Sequence, residues 1–442
     1  MTVGYFGAIL SLIGCIYGLK KCKKLFNPIS LFLGLWSIIL FLSSMQLYDL
    51  KHSTEITYFR LLTGIVCFTL GFWLDYRLKI IRKVHLGKSH GIRTNPYDSI
   101  YMLRSKYLLY FAFGIVIFMK AVDLKDNLII LLSGGNLQTV RNVLRANNAE
   151  LRRTMTNVIH NLLSGPFEYV IYPIGAYNII NQKNKGITIA TVIALVFGII
   201  NTGGRAMLIY FILSLLVAFT FSSRDLYNLL TNIKRNINAK KRYKKIIFLF
   251  IIFFFVVSFS RSGVGLLRDS YYYFAMEPTM FEQWCETVEN QNLVGYGIAS
   301  FNGFTFHILY LIKNILNISY PMHWNEVYNM VILSDTRWLQ ITNAGLPANA
   351  FVSMFWFMFL DGREMGIIII SVIYGVICSY SFRNAVKSPN IKTISIYAMI
   401  LFGVFDSYVR MKFFVGDYAG GLLILLFIMF KKKKIFCKEN IS

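Results

Sequence analysis

Apolar runs of membrane-crossing length recur from one end of the chain to the other, separated by polar connections. The pattern predicts eleven helical spans: 3–19, 28–47, 57–76, 105–122, 162–181, 187–202, 205–221, 246–260, 365–381, 393–409 and 414–430. Each is near the roughly 17–20 residues that a crossing requires, and the shortest need help from interfacial residues. The run 350–360, rich in Phe and Met, is too short to cross alone. It reads as a re-entrant or interfacial helix, or as the first half of the next span. The short alternating segments of a membrane β-barrel are absent. The fold class expected is therefore an all-α polytopic integral membrane protein. It forms a single transmembrane domain over 1–442 with two long outer loops, 123–161 and 261–349, the second carrying amphipathic helices.

Composition agrees: 56% of residues are hydrophobic and only 15% charged, whereas a soluble domain is about a quarter charged. The net charge of +25 would suggest nucleic acid in a soluble chain. Here the basic clusters fall between apolar runs, the distribution expected for membrane topology. With the N-terminus outside and eleven spans, the C-terminus is inside. The inner segments then hold 30 of the 46 Lys and Arg residues and, with Asp75 at the edge of its span, four of the 21 acids, which is the bias the positive-inside rule demands. The N-terminal run lacks the basic region of a signal peptide and is followed by KKCKK (20–24), so the expectation is that it stays as a span. Of six cysteines only Cys285 falls on the outer side, which leaves no outer disulfide.

The outer side carries the candidate chemistry. Arginine outnumbers lysine there, and its planar fork suits phosphate oxygens in a low-dielectric site. In the first loop Arg141 and Arg145 are four residues apart, so they share one helical face, with Leu137, Val140 and Leu144 around the others. The second loop opens RSGVGLLRDSYYYF. Arg261 and Arg268 again share a face, and Tyr271 and Tyr272 supply aromatic surface for sugar rings or for an interfacial belt. Glu277, Glu282, Glu286, Glu289, His307, His323 and Asp335 offer a general base, and the sequence alone does not choose among them. His307, set in GFTFHILYLI, reads as a packing residue. Arg205 sits in NTGGRAMLIY, at the centre of an apolar run long enough for two crossings. The glycines there suit a tight outer turn, which leaves Arg205 at the start of the next helix, where an anion would meet both guanidinium and free N–H groups. No acidic pair or Asp-x-Asp occurs anywhere, and no CxxC or HExxH, so no metal and no cofactor is expected.

With these features the chain resembles the O-antigen polymerase (Wzy-type) family of oligosaccharide repeat-unit polymerases. Three stretches carry the likeness beyond the architecture: GGNLQTVRNVL, NTGGRAMLIYFILSLL, and NAFVSMFWFMFLDGREMG. The resemblance implies metal-independent glycosyl transfer of a growing undecaprenyl-diphosphate-linked glycan onto a new lipid-linked repeat. The reaction takes place at the outer face of a bacterial cytoplasmic (inner) membrane, with a chain-length regulator as an expected partner. It implies Arg141 and Arg205 as lipid-diphosphate contacts, with Arg145 and Arg268 beside them. The remaining assignments are Arg205, Glu277 and His323 in catalysis, and Tyr271, Tyr272 and Asn349 against the glycan. The chain departs from the family where some members repeat Arg-x10-Gly, because none of its loop arginines has that glycine. The related O-antigen ligases carry histidines where this chain reads LPAN (346–349), which favours polymerase. A lipid-linked oligosaccharide flippase is the rival of another class. It predicts charges inside the bundle, and Glu168, within the span 162–181, is the acid that suits it.

Overall fold

The apolar runs fold as helices because a backbone in hydrocarbon has to satisfy its own hydrogen bonds. The computed structural model describes residues 2–85, 101–133, 154–181, 183–202, 206–222 and 266–432. The described residues are mostly helical. The helices are α1 Thr2–Cys22, α2 Pro28–Met45, α3 Glu55–His85, α4 Lys106–Leu132, α5 Thr154–Ile159, α6 Gly165–Asn181, α7 Lys185–Thr202 and α8 Ala206–Ser222. They continue as α9 Leu266–Ala275, α10 Glu277–Asn290, α11 Ile298–Leu316, α12 Met322–Thr336, α13 Ser353–Lys387, α14 Ile391–Phe405 and α15 Gly416–Leu423. Single π-helical turns join α5 to α6 and extend α15 to Ile428.

Five of the described helices are long and apolar enough to cross a membrane: Thr2–Cys22, Pro28–Met45, Glu55–Arg77, Ser353–Lys387 and Ile391–Tyr408. The apolar helices Lys185–Asn201, Ala206–Phe221 and Gly416–Ile428 are shorter. The expected span 246–260 lies outside the described residues.

Segments expected on the inner side meet at one end of the bundle. Tyr101–Leu103 (β1) pairs antiparallel with Phe430–Lys432 (β4), and Tyr397 Oη donates to the Phe26 carbonyl at 2.6 Å. Arg383 and Asp75 pair there as well. At the other end the connection after α2 meets the segment 266–350. Leu339–Gln340 (β2) and Pro347–Ala348 (β3) form a small antiparallel pair there. We call this second end the outer end.

Two boundaries differ from expectation. The first outer loop was expected to begin at 123, yet α4 runs on to Leu132, and helix resumes at Thr154. Apolar IILL at 129–132 continues the helical pattern past Lys125 and Asp126, so charge alone misplaced the helix end.

The run 350–360 proves to be half of a helical hairpin. α13 breaks at Gly362 and Arg363, where Arg363 has φ 54° and ψ −140°. Ser371 Oγ lies 3.2 Å from Met358 Sδ, although 13 residues of straight helix would separate them by about 20 Å. The two halves therefore lie side by side. α3 packs against both: Gly64 meets the Phe355 ring, Gly71 meets the Val372 backbone, and Gly375 meets Phe68. Small residues on each helix allow that approach, the usual device between membrane helices.

Candidate functional site

Polar chemistry gathers in two places at the outer half of the molecule. The first is a shallow cavity of about 560 Å³, lined by Tyr48, Arg268, Tyr272, Thr342 and the stretch 344–347. Three elements build it. The turn after α2 is held in a left-handed conformation at Gln46, Tyr48 and Asp49, which bulky residues rarely adopt. Hydrogen bonds hold that strain in place. Tyr272 Oη donates to the Tyr48 carbonyl at 2.5 Å. Tyr271 Oη donates to the Leu42 carbonyl and accepts from the Leu47 N–H. The Asp49 carboxylate in turn accepts from Asn343 Nδ2 and the Ala344 N–H, at 2.9 and 2.8 Å. The β2–β3 hairpin is thereby fastened across from α9.

Arg268 is the charged group of this cavity. Its side chain is about half exposed, and its contact with Asp269 is loose, at 3.8 Å, so the guanidinium is available to an anion. Burial raises the Tyr271 phenol to about 12 and raises Tyr272, against the opposing effect of Arg268. Both phenols therefore stay neutral and serve as hydrogen-bonding and stacking surface. A guanidinium beside aromatic rings suits a sugar phosphate.

The other expected residues do not line this cavity. Glu277 is fully buried at the start of α10, and neither carboxylate oxygen has a hydrogen-bond partner. The Ser353 side chain lies beside it, and burial pushes its carboxyl up to about 8. A group sealed in this way does not meet an acceptor hydroxyl, so the expected contact between Glu277 and substrate is absent from this conformation. His323 is exposed in the first turn of α12, its ring 5.7 Å from that of Tyr296. Asn349 donates to the Asp335 carbonyl at 2.6 Å, and Asp335 grips Arg410 through two hydrogen bonds of 2.8 and 2.9 Å. Asn349 thus ties the end of β3 to α12, and Asp335 ties α12 to the turn after α14. Arg141, Arg145 and Arg205 lie outside the described residues. Asp361, the aspartate of the third family-like stretch, accepts from the N–H groups of Gly297, Ala299 and Ser300 at 2.8–2.9 Å. It caps α11 from another part of the chain.

The second place is inside the bundle. Lys120 Nζ lies 2.8 Å from Glu168 Oε1, and both side chains are only 10% exposed. The partner of Glu168 is thus a lysine. Tyr172 Oη donates to the same carboxylate oxygen at 3.1 Å. Asp417, near the start of α15, is within electrostatic reach of both. Asn201 Nδ2 donates to the Lys120 carbonyl at 2.6 Å, fixing the end of α7 against α4. His307 is a packing residue on one side, with Nε2 donating to the Gly416 carbonyl at 2.9 Å, while its buried Nδ1 has no partner. Burial lowers the imidazole from its ordinary value, against the opposing effect of that hydrogen bond.

The sequence reading missed Tyr48, the 342–347 hairpin and Asp417. The first two carry no periodic signal. Asp417 had one, a carboxylate inside an apolar run, the same signal that singled out Glu168. No family model matches the chain, and no curated protein and no solved structure matches it.

Proposed function

We propose that this chain is a membrane-embedded glycosyltransferase that polymerises oligosaccharide repeat units carried on undecaprenyl diphosphate, without a metal, at the outer face of a bacterial cytoplasmic membrane. One observation carries the reading. Arg268 and Tyr272, chosen from sequence for a phosphate and a sugar, line one cavity with Tyr48 at the outer end of an apolar helical bundle. In this reading Arg268, with Arg141, Arg145 and Arg205, neutralises the departing lipid diphosphate. The tyrosine rings and Asn349 support the glycan. The proton of the acceptor hydroxyl passes to a side chain of the outer segment 261–349. His323 is open to that role, whereas Glu277 is sealed.

The test is polymer formation from purified lipid-linked repeats by wild type, Arg205→Ala and Arg268→Ala. The expected result is short or absent polymer from both variants at normal protein level. Full-length polymer from both would overturn the reading.

A second reading is favoured by the charges inside the bundle, where Lys120, Glu168 and Asp417 stand as a flippase would require. Inactivating a flippase strands repeat units on the inner side. Inactivating a polymerase leaves single capped units outside.

A further inference from the structure

We propose that the connection between α11 and α12, residues 308–322, is buried among the phospholipid acyl chains of the outer leaflet. Part of the expected outer loop 261–349 is then a re-entrant, lipid-facing hairpin. This goes beyond the proposed transfer reaction and holds for either reading of the function.

Two contacts fix the depth of the surface on which α11 packs. Trp36 is the ninth of the 18 residues of α2, and its Nε1 donates to Ser407 Oγ at 3.2 Å. Tyr374 stands midway along the second half of α13, and its ring lies 5.5 Å from that of Phe413. The segment 407–413 is therefore near the middle of the crossing helices. Phe301 and Phe304 of α11 pack against the same Phe413 ring, at 6.1 and 5.5 Å. His307 Nε2 lies 2.9 Å from the Gly416 carbonyl oxygen. A side-chain carbon on Gly303 would fall 2.6 Å from the Phe413 carbonyl oxygen, so α11 rests directly on this backbone.

Helix length gives the same depth. From Gly416 to Ile428, just before β4 at the inner end, the helix rises about 18 Å. That is well short of a hydrocarbon core of about 30 Å. The first turn of α15, with the part of α11 packed on it, lies within the hydrocarbon. Yet α11 begins on the Asp361 carboxylate, at the tip of the α13 hairpin, and α12 leads into β2 at the outer end. The chain enters and leaves from the outer side.

The side chains of the hairpin match an apolar surrounding. Every residue from Lys313 to Ser319 is exposed. Ile308, Leu311 and Ile315 form one stripe at spacings of three and four residues, and Leu316, Ile318 and Met322 carry it around the turn. Ile315 is 73% exposed and Met322 80%, more than Leu70 at 53% and Ile369 at 51% on the apolar faces of α3 and α13. An apolar patch of this kind marks a contact surface, and it continues the depth of a bundle already in lipid. Lys313 is the one Lys, Arg, Asp or Glu in 308–322. Its ammonium lies over the Tyr320 ring at 4.5 Å, and Tyr320 lies 4.6 Å from Trp324. A lysine stem on aromatic rings beside aliphatic side chains is the arrangement of a helix at a membrane interface, with the charge reaching toward the headgroups.

The test uses the wild-type chain in nanodiscs with two carbene probes. One is a phospholipid carrying a diazirine at the end of an acyl chain, and the other is a small water-soluble diazirine. Adducts are mapped by mass spectrometry. The lipid probe should label 308–322 at a yield matching that on Leu70 and Ile369. The soluble probe should label 308–322 several-fold less than the exposed turn 343–347 at the outer end. Strong soluble labelling of 308–322 without lipid adducts would overturn the proposal by placing the hairpin in water. Silence of 308–322 with both probes would overturn it too, because a second copy or another stretch of this chain would then cover the patch.

Discussion

Lys120 and Glu168 meet at 2.8 Å inside the helical bundle, on helices that the chain separates by 48 positions. The pair couples two things that the sequence shows only one at a time: a lysine in the middle of α4 and a carboxylate early in α6. Breaking it should be costly. In Lys120→Met the Glu168 carboxylate stays buried without its counter-ion, and we expect a loss of about 3–5 kcal/mol. The double variant Lys120→Met with Glu168→Gln should recover most of that loss. Chemical unfolding in detergent checks both, and additive losses would contradict the pairing.

Glu277 should make the protein sensitive to alkali. Its carboxyl ordinarily titrates at 4.5 and is held at about 8 in the folded chain. A raised acid favours the folded state fully below pH 4.5, and that advantage is lost as pH rises through about 8. Glu277→Gln removes the loss. The variant should match wild type at pH 5 and exceed it at pH 9, by a few kcal/mol at most. Thermal unfolding at the two pH values measures the difference. A variant that is less stable at pH 9 would show that the carboxylate is satisfied.

Arg268 should matter for activity and little for stability, because its side chain is half exposed and held only loosely. Losing one charged hydrogen bond to a phosphate costs about 1.5–3 kcal/mol, or roughly tenfold to a hundredfold in affinity for a lipid-diphosphate substrate. Arg268→Ala should show that loss with an unchanged unfolding midpoint. Arg268→Lys should restore part of it. Binding of a lipid-linked oligosaccharide to protein in nanodiscs is the measurement.

Close helix packing predicts a contrast between two glycines. A methyl group on Gly71 would fall 2.1 Å from the Val372 carbonyl oxygen, whereas one on Gly114 meets nothing within 4 Å. Gly71→Ala must push α3 off α13, at about 1–3 kcal/mol. Gly114→Ala should be neutral or slightly stabilising, since alanine is the better helix former. Equal unfolding midpoints for the two variants would refute the packing.

Asp361 is predicted to be structural despite its place in a family-like stretch. Asp361→Ala leaves the first N–H groups of α11 without their acceptor and should cost about 1–2 kcal/mol. Activity corrected for folded protein should remain. Abolished activity with unaltered stability would instead give Asp361 a catalytic role.

The helical membrane class was readable from the chain alone. Hydrocarbon forces helices onto long apolar runs, and the basic clusters mark one side, so local composition carries this information. Arg268 and Tyr272 could be picked out because arginines sharing a helical face and a run of tyrosines stand together in one short outer stretch, RSGVGLLRDSYYYF. What no local pattern could supply is partnership across the chain. The cavity depends on Tyr48 and on a hairpin some 300 residues later, joined by hydrogen bonds to Asp49. The reversal at Gly362 and Arg363 follows from α3 and its glycines packing against both halves of α13, which turns an apolar run too short to cross into half of a hairpin. Glu277 and Asp417 are both carboxylates on helices, alike in sequence. One is sealed without a partner and the other is partly exposed within electrostatic reach of a lysine, because burial and charge balance are settled by which helices pack together.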